Sequence, residues 1–296
     1  MATITKTTNL FPAEFIPQIF SKVAGHSTLA KLSKQEPIPF SGTSQFVFTM
    51  DGEASIVGEG GDKPAGDAGF KPVTIAPIKF VYQHRLTDEF VNMSEEKQVP
   101  YLQAFTDGFA KKMARALDIA AMHGVNPATG DACEAIASKN FDMAAVGSVT
   151  VIAGSEDNTL DAAIQAIVAS DGAITGIAMA PSFGSDLSKI KVNGVVQYPE
   201  FRFGGNPGTF ASVPSDINNT VSFKTSKDLA IVGDFANAFK WGFAENIPME
   251  VIEYGDPDGQ GDLKKTNQIV LRAEAYIGWG ILDNASFKKI VKAEGE

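Results

Sequence analysis

Cysteine is nearly absent. Cys133 stands alone in 296 residues, which excludes an intrachain disulfide and argues against a cysteine-built metal site. Long apolar runs are missing too. No uncharged stretch reaches the roughly 20 residues that a membrane-spanning helix needs. The chain opens Met1-Ala2-Thr3-Ile4-Thr5-Lys6, without the charged and then apolar regions of a secretion signal. The expected compartment is therefore a cytoplasm, and the sequons at Asn92, Asn218 and Asn284 carry little meaning. Positive charge is scarce: 25 Lys and Arg stand against 35 Asp and Glu, a net charge of −10. The longest cationic clusters are the pairs Lys111-Lys112, Lys264-Lys265 and Lys288-Lys289. A protein that grips nucleic acid carries a basic patch that releases counterions from phosphate, and none stands out. Trp (2) and Tyr (5) are few beside 21 Phe. Phe supplies contact area with no polar atom to satisfy, which suits a large core and extensive contacts between subunits.

What is present reads as globular. Hydrophobic residues make up 44% and charged residues 20%, and the length allows one large domain or two interleaved ones. Phe15, Ile19 and Val23 recur every fourth residue, one face of a short helix that Gly25 can end. Ser27 to Leu32 forms a second short segment, and Pro37 and Pro39 then impose an extended path. This opening is either an ordinary N-terminal helix or an arm that lies on a neighbouring subunit. Residues 43–88 read as a long hairpin. Its first limb, 45–50, puts Phe46, Phe48 and Met50 on one face. Its return limb, 73–82, puts Ile78, Phe80 and Tyr82 on one face, and Pro77 marks it as an edge. The tip at 58–69 is too polar and glycine-rich to bury a core. A hairpin this long needs a surface beyond its own chain to lie on.

The clearest helix spans 101–122. Tyr101, Phe105, Phe109, Met113 and Leu117 form its stripe, with Pro100 at the entry and Gly124 and Pro127 at the stop. A second helix spans 159–169, with Asn158 as its cap. Strands are expected at 174–180, 229–235 and 238–243, and the segment 193–222 reads as loop. After a turn at 255–261, Ile269, Leu271, Ala273, Ala275, Ile277, Trp279 and Ile281 alternate with Arg272, Glu274 and Tyr276, which marks a last long strand.

A search for chemistry finds none. Gly61 and Gly66 have phosphate-loop spacing, but Asp67-Ala68 stands where Lys and Ser or Thr are required. Gly58 and Gly60 do not continue into a dinucleotide fingerprint. Asp256, Asp258 and Asp262 resemble part of a calcium loop, but Gln260 and Asn267 occupy ligand positions, so a solvated acidic turn is the expectation. His26, His84 and His123 are too far apart for metal-ligand spacing. His123 favours the dipole at a helix end, and Cys133 reads as a small buried hydrophobe. No Gly-x-Ser-x-Gly elbow occurs. No catalytic, cofactor-binding or metal residue is assigned.

In order along the chain, the parts resemble the HK97-fold major capsid proteins of tailed bacteriophages. Phe11 to Leu32 is similar to the N-arm and Glu53-Ala54-Ser55-Ile56-Val57-Gly58-Glu59-Gly60 to the rising E-loop. Ile78-Lys79-Phe80 and Leu86-Thr87-Asp88-Glu89-Phe90 are similar to its return. Phe109 to Asp118 resembles the spine helix, and Val232-Gly233-Asp234-Phe235 and Leu271 to Tyr276 resemble later strands. The resemblance implies an α+β chain with an N-terminal arm (1–36), an E-loop hairpin (37–88) and a P-domain with its spine helix (89–140). An A-domain (141–250), P-domain strands (251–281) and a C-terminal return to the A-domain (282–296) follow. It implies hexamers and pentamers in an icosahedral shell, with subunit contacts at Phe15, Ile19, Glu59, Lys63, Lys71, Arg85, Arg272 and Glu274. The implied partners are the chain itself, with scaffolding, portal and decoration proteins. DNA would be enclosed without sequence-specific binding, and an acidic wall lets packaged contents slide. The location implied is the virion, after assembly in the host bacterial cytoplasm, with no membrane.

Some relatives crosslink a loop lysine to an asparagine with help from a glutamate. Lys63, Lys71, Asn267 and Glu274 do not align with that chemistry, and no crosslink is expected. Many relatives also carry a scaffolding segment that a protease removes. Here the arm begins almost at Met1, so scaffolding is a separate protein or unnecessary, or this is a mature form. An encapsulin, a cargo-holding nanocompartment of the same fold, is the alternative. A soluble enzyme with an unrecognised site is the other, and it predicts a monomer or dimer with a pocket.

Overall fold

The computed structural model describes residues 15–51, 54–63, 65, 67–90, 93–143, 146–224, 226–244 and 249–293. Its helices are α1 (Phe15–His26), α2 (Thr28–Leu32), α3 (Glu95–His123), α4 (Glu156–Val168) and α5 (Pro181–Leu187). Its strands are β1 (Thr43–Asp51), β2 (Asp67–Ile75), β3 (Ile78–Thr87), β4 (Gly147–Thr150), β5 (Gly176–Met179), β6 (Lys191–Val192) and β7 (Val195–Val196). They continue with β8 (Thr209–Phe210), β9 (Val213–Ile217), β10 (Asp228–Gly233), β11 (Phe239–Phe243), β12 (Met249–Ile252), β13 (Gln268–Ile281) and β14 (Phe287–Val291).

The spine is α3. Leu102, Phe105, Phe109, Met113 and Leu117 are all buried, because residues four apart fall on one face of a helix. Gly124 takes the left-handed conformation that ends it, and its N–H bonds the Ala120 carbonyl. The start differs from the sequence expectation. The helix begins six residues earlier, after Ser94, so Pro100 lies inside it and not at its entry. Pro100 is exposed, and water can satisfy the carbonyl that its missing N–H leaves free.

Two sheets build on this spine. In the first, β13 pairs with β11 and β12 along one edge and with β3 along the other. The apolar set of β13, Ile269 through Ile281, is buried, as its alternation predicts. The second sheet has the order β4-β14-β10-β5-β9-β8, so the last strand, β14, returns to the segment that begins at β4. Its two faces meet two different cores. Ala178, Ile231 and Phe287 join the large cluster around α3, while Ile177, Met179, Ala230, Val232 and Ile290 join a second cluster with α4 and α5.

Several expectations are corrected. The hairpin is not one ribbon. β2 pairs with β1, but the chain breaks at Ala76-Pro77 and β3 pairs with β13 instead. Proline cannot donate to a ladder, and here it falls where the two sheets part. β11 and β12 pair with β13. The helix at 159–169 starts at Glu156 after Ser155, so Asn158 is not its cap. Gly25 lies within α1. The stretch 193–222 contains β9, parallel to β5, and Pro181 opens α5.

Candidate assembly surfaces

The β1–β2 ribbon carries an apolar face that is largely exposed. Phe48 stands opposite Phe70 and Phe46 opposite Pro72, so all four share one side. Phe46, Phe48 and Phe70 are 62%, 60% and 64% exposed, and the Phe46 and Phe70 rings stack at 4.8 Å. A two-stranded ribbon is marginal in water by itself, and a cluster of exposed aromatics marks a contact surface. The ribbon is rooted at its base. Ile75 is buried against β13, where Gly280 leaves room; a Cβ there would meet Ile75 Cγ1 at 2.9 Å. Beyond the ribbon, Ile56 is fully exposed, and Glu59 and Lys63 are exposed. Glu53, Pro64 and Gly66 lie outside the described residues.

The described part of the arm lies on its own chain. Ile19 and Val23 are fully buried in the core that holds α3, so Ile19 is an internal contact and not a surface one. Phe15 opens α1, and its side chain, like residues 1–14, lies outside the described residues. Asp118, fully buried on α3, receives the start of α2. It accepts hydrogen bonds from Ser27 Oγ (2.5 Å), Thr28 N (2.9 Å), Leu29 N (3.2 Å) and Thr220 Oγ1 (3.1 Å). Burial pushes its carboxyl up to about 6 against the pull of these donors. Asp216 takes Thr28 Oγ1 and Lys31 Nζ, both at 2.6 Å. The chain then runs beside β11, with Glu36 N bonded to Trp241 O at 2.9 Å. Gly242 allows this approach, since a Cβ there would overlap the Glu36 carbonyl oxygen.

Three other expected contact residues are engaged within the first sheet. Arg85 Nε bonds Asp258 Oδ2 at 2.8 Å, and its other nitrogens reach Gln268 (3.0 Å), Asp256 (3.3 Å) and the Gly261 carbonyl (2.8 Å). The guanidinium thus takes the centre of the aspartate turn that resembled a calcium loop, and it holds the Asp258 carboxyl well below its ordinary value. Arg272 binds Gln83 at 2.8 Å and Glu250 at 3.2 Å, and Glu274 pairs with Lys79 at 2.7 Å. Lys71, by contrast, is exposed on β2. Of the eight expected contacts, Glu59, Lys63 and Lys71 therefore present free surface. The ribbon phenylalanines are a stronger surface. The alternation of the first limb places Phe46 and Phe48 on one face, and the pairing of β1 with β2 adds Phe70 to it.

A polar cluster lies where α3 meets the second sheet. His123, in the last turn of α3, places Nδ1 3.0 Å from Asp142 Oδ2 and 3.7 Å from Asp228 Oδ2. Lys289 on β14 reaches Asp142 Oδ1 at 2.6 Å and Asp228 Oδ1 at 3.4 Å. Burial and the Asp142 carboxylate raise the Asp228 carboxyl to about 7. Sequence spacing gave no sign of this cluster, because its members come from four separate segments. Cys133 is only partly buried and lines an apolar groove of about 620 Å³ with Phe80, Met113 and Trp279.

The family model described as the phage capsid family matches residues 7–292. A solved structure from Mycobacterium phage Ogopogo is 32% identical, with a TM-score of 0.76 over 90% of this chain and 92% of that one. One from Gordonia phage Cozz is 24% identical, with a TM-score of 0.73 over 90% and 86%. The capsid of a native GTA particle shares the fold at 15% identity, with a TM-score of 0.63 over 92% and 90%. No curated protein matches the chain. Among the described residues no helix is long and apolar enough to cross a membrane. With a spine helix, an exposed aromatic ribbon and a family match over nearly its whole length, the chain belongs to the phage capsid family and is an HK97-like shell subunit.

Proposed function

We propose that the chain assembles as hexamers and pentamers into an icosahedral phage head that encloses double-stranded DNA. The observation that carries this is the ribbon face of Phe46, Phe48 and Phe70, exposed by 60% or more and rooted on β13. In a closed symmetric assembly every subunit offers such a face and every neighbour can cover it. Each contact can be weak, because many act together. The ribbon and tip act as the E-loop, and residues 1–36 as the N-arm. The sheet of β3, β11, β12 and β13 with α3 is the P-domain, and the second sheet with α4 and α5 is the A-domain. Glu59, Lys63 and Lys71 contact neighbouring subunits along the loop. The acidic balance suits an inner wall along which DNA slides. Assembly takes place in the host bacterial cytoplasm, with scaffolding, portal and decoration proteins as further partners.

Negative-stain electron microscopy of the purified full-length chain at high concentration tests this. Closed shells, or rings of five and six, are the expected result. A field of small single particles that stays unchanged after scaffolding protein is added would sink the reading. Shells purified from cells with a cargo enzyme inside, and no nucleic acid, would point to the encapsulin alternative.

A further inference from the structure

The polar cluster at the end of α3 has a deficit of positive charge at its centre. His123 Nε2 lies 2.9 Å from the Thr220 carbonyl oxygen, which can only accept, so Nε2 carries a proton. In the neutral ring Nδ1 then presents a lone pair, and it faces the Oδ2 atoms of both Asp142 and Asp228. A cation placed among these atoms would satisfy them together. Lys289 does not fill that place, because its ammonium binds the other oxygen, Oδ1, of each carboxylate. A second proton on Nδ1 would serve Asp142 alone. Asp228 Oδ2 is buried and has no hydrogen-bond partner, and its side chain is only 4% exposed. An ionised carboxylate oxygen left in that state is strongly unfavourable, and either a proton, which burial and the Asp142 carboxylate favour, or a bound cation would relieve it.

We propose that His123 Nδ1, Asp142 Oδ2 and Asp228 Oδ2 bind a divalent transition-metal ion of the zinc class, with Lys289 orienting the two carboxylates from outside. His123, Asp142 and Asp228 can each offer one ligand atom within 4.8 Å of the others. The two separations from Nδ1, 3.0 and 3.7 Å, bracket the edge of about 3.3 Å of a tetrahedron with metal–ligand bonds of about 2.0–2.1 Å. The Nε2–H bond to the Thr220 carbonyl is the outer contact that fixes the tautomer of a metal-bound histidine. An imidazole ligand selects a zinc-class ion over magnesium or calcium, which prefer all-oxygen sites. A surface pocket of about 510 Å³ is bordered by Asp142, Asp228 and Lys289. Lys227 and Lys292 also line it and oppose ions held by charge alone. Bound there, the ion ties the end of α3 to β10. This inference is independent of how the chain assembles.

The test uses untagged full-length protein, stripped with a chelator and dialysed. Zn²⁺ is titrated in competition with a chromophoric chelator, Mg²⁺ serves as a second probe, and Co²⁺ is added separately for its visible spectrum. The expected results are one Zn²⁺ per chain, a raised thermal-unfolding midpoint with Zn²⁺ and none with Mg²⁺, and the intense visible bands of tetrahedral Co²⁺. Asp228→Asn should weaken Zn²⁺ at least about tenfold and abolish the midpoint rise. No stoichiometric Zn²⁺, or an affinity unchanged in Asp228→Asn, would overturn the proposal and leave a protonated histidine as the cluster's cation. If Asp228→Asn does not fold, the wild-type Co²⁺ spectrum decides: the weak bands of octahedral Co²⁺ would also overturn it.

Discussion

Asp118 shows how one buried charge holds an arm in place. Its two oxygens accept four hydrogen bonds, two of them from backbone N–H groups at the start of α2, where the helix dipole favours an anion. Burial still raises its carboxyl from an ordinary 3.8 to about 6. Between those values the folded chain keeps a proton that the unfolded chain has released, so stability falls as pH rises through that window. The size is about 3 kcal/mol at most, from the pKa difference. Asp118→Asn should remove this slope, and denaturant midpoints at pH 4.5 and pH 7 check it. An identical pH difference in wild type and variant would clear Asp118 of the effect. Phe109 is fully buried in the same core, and Phe109→Ala should cost about 3–5 kcal/mol, read from the same midpoints.

At the scale of elements, the ribbon and its root separate folding from assembly. Replacing Phe46, Phe48 and Phe70 together by Ser removes exposed apolar area while leaving the ladder of β1 and β2. The triple variant should keep its thermal midpoint within a few degrees and fail to form shells in the microscope; normal shells would show that this face is not an interface. Gly242→Ala acts the other way. Its Cβ would push against the Glu36 carbonyl and lift the arm from β11. The expected outcome is faster proteolysis within residues 34–39, and an unchanged digestion pattern would contradict that account. Arg85 gathers a whole turn. Arg85→Met leaves Asp256 and Asp258 without their cation, and cleavage at 255–262 should become faster.

For the whole molecule, the second sheet joins two cores. Each strand turns alternate residues to opposite sides, so Ile231 packs toward α3 while Ala230 and Val232 pack toward α4 and α5. The two cores therefore share one backbone, and we expect a single cooperative unfolding transition by calorimetry. Two resolved transitions would show that they fold separately. The charged residues of the first sheet are satisfied within the chain, as Glu274 is by Lys79 and Arg272 by Glu250. Mature particles boiled in SDS should give one monomer band, because Glu274 has a lysine of its own sheet at hand. A ladder of multimers would refute this.

The sequence by itself determined the spine helix, the long alternating strand, the exposed loop tip and the family resemblance. Each rests on local periodicity or composition, which a short window of residues contains. Only the tertiary structure decided where the return limb goes, because Pro77 marks a break but does not say which strand pairs beyond it. It also decided that Ile19 is buried and that Arg85 and Arg272 find partners within their own chain. Their partners lie far along the chain: Asp258 is 173 residues from Arg85 and Gln83 is 189 from Arg272. The same distance hid the cluster of His123, Asp142, Asp228 and Lys289, whose members share no motif and meet only because β14 returns beside β10.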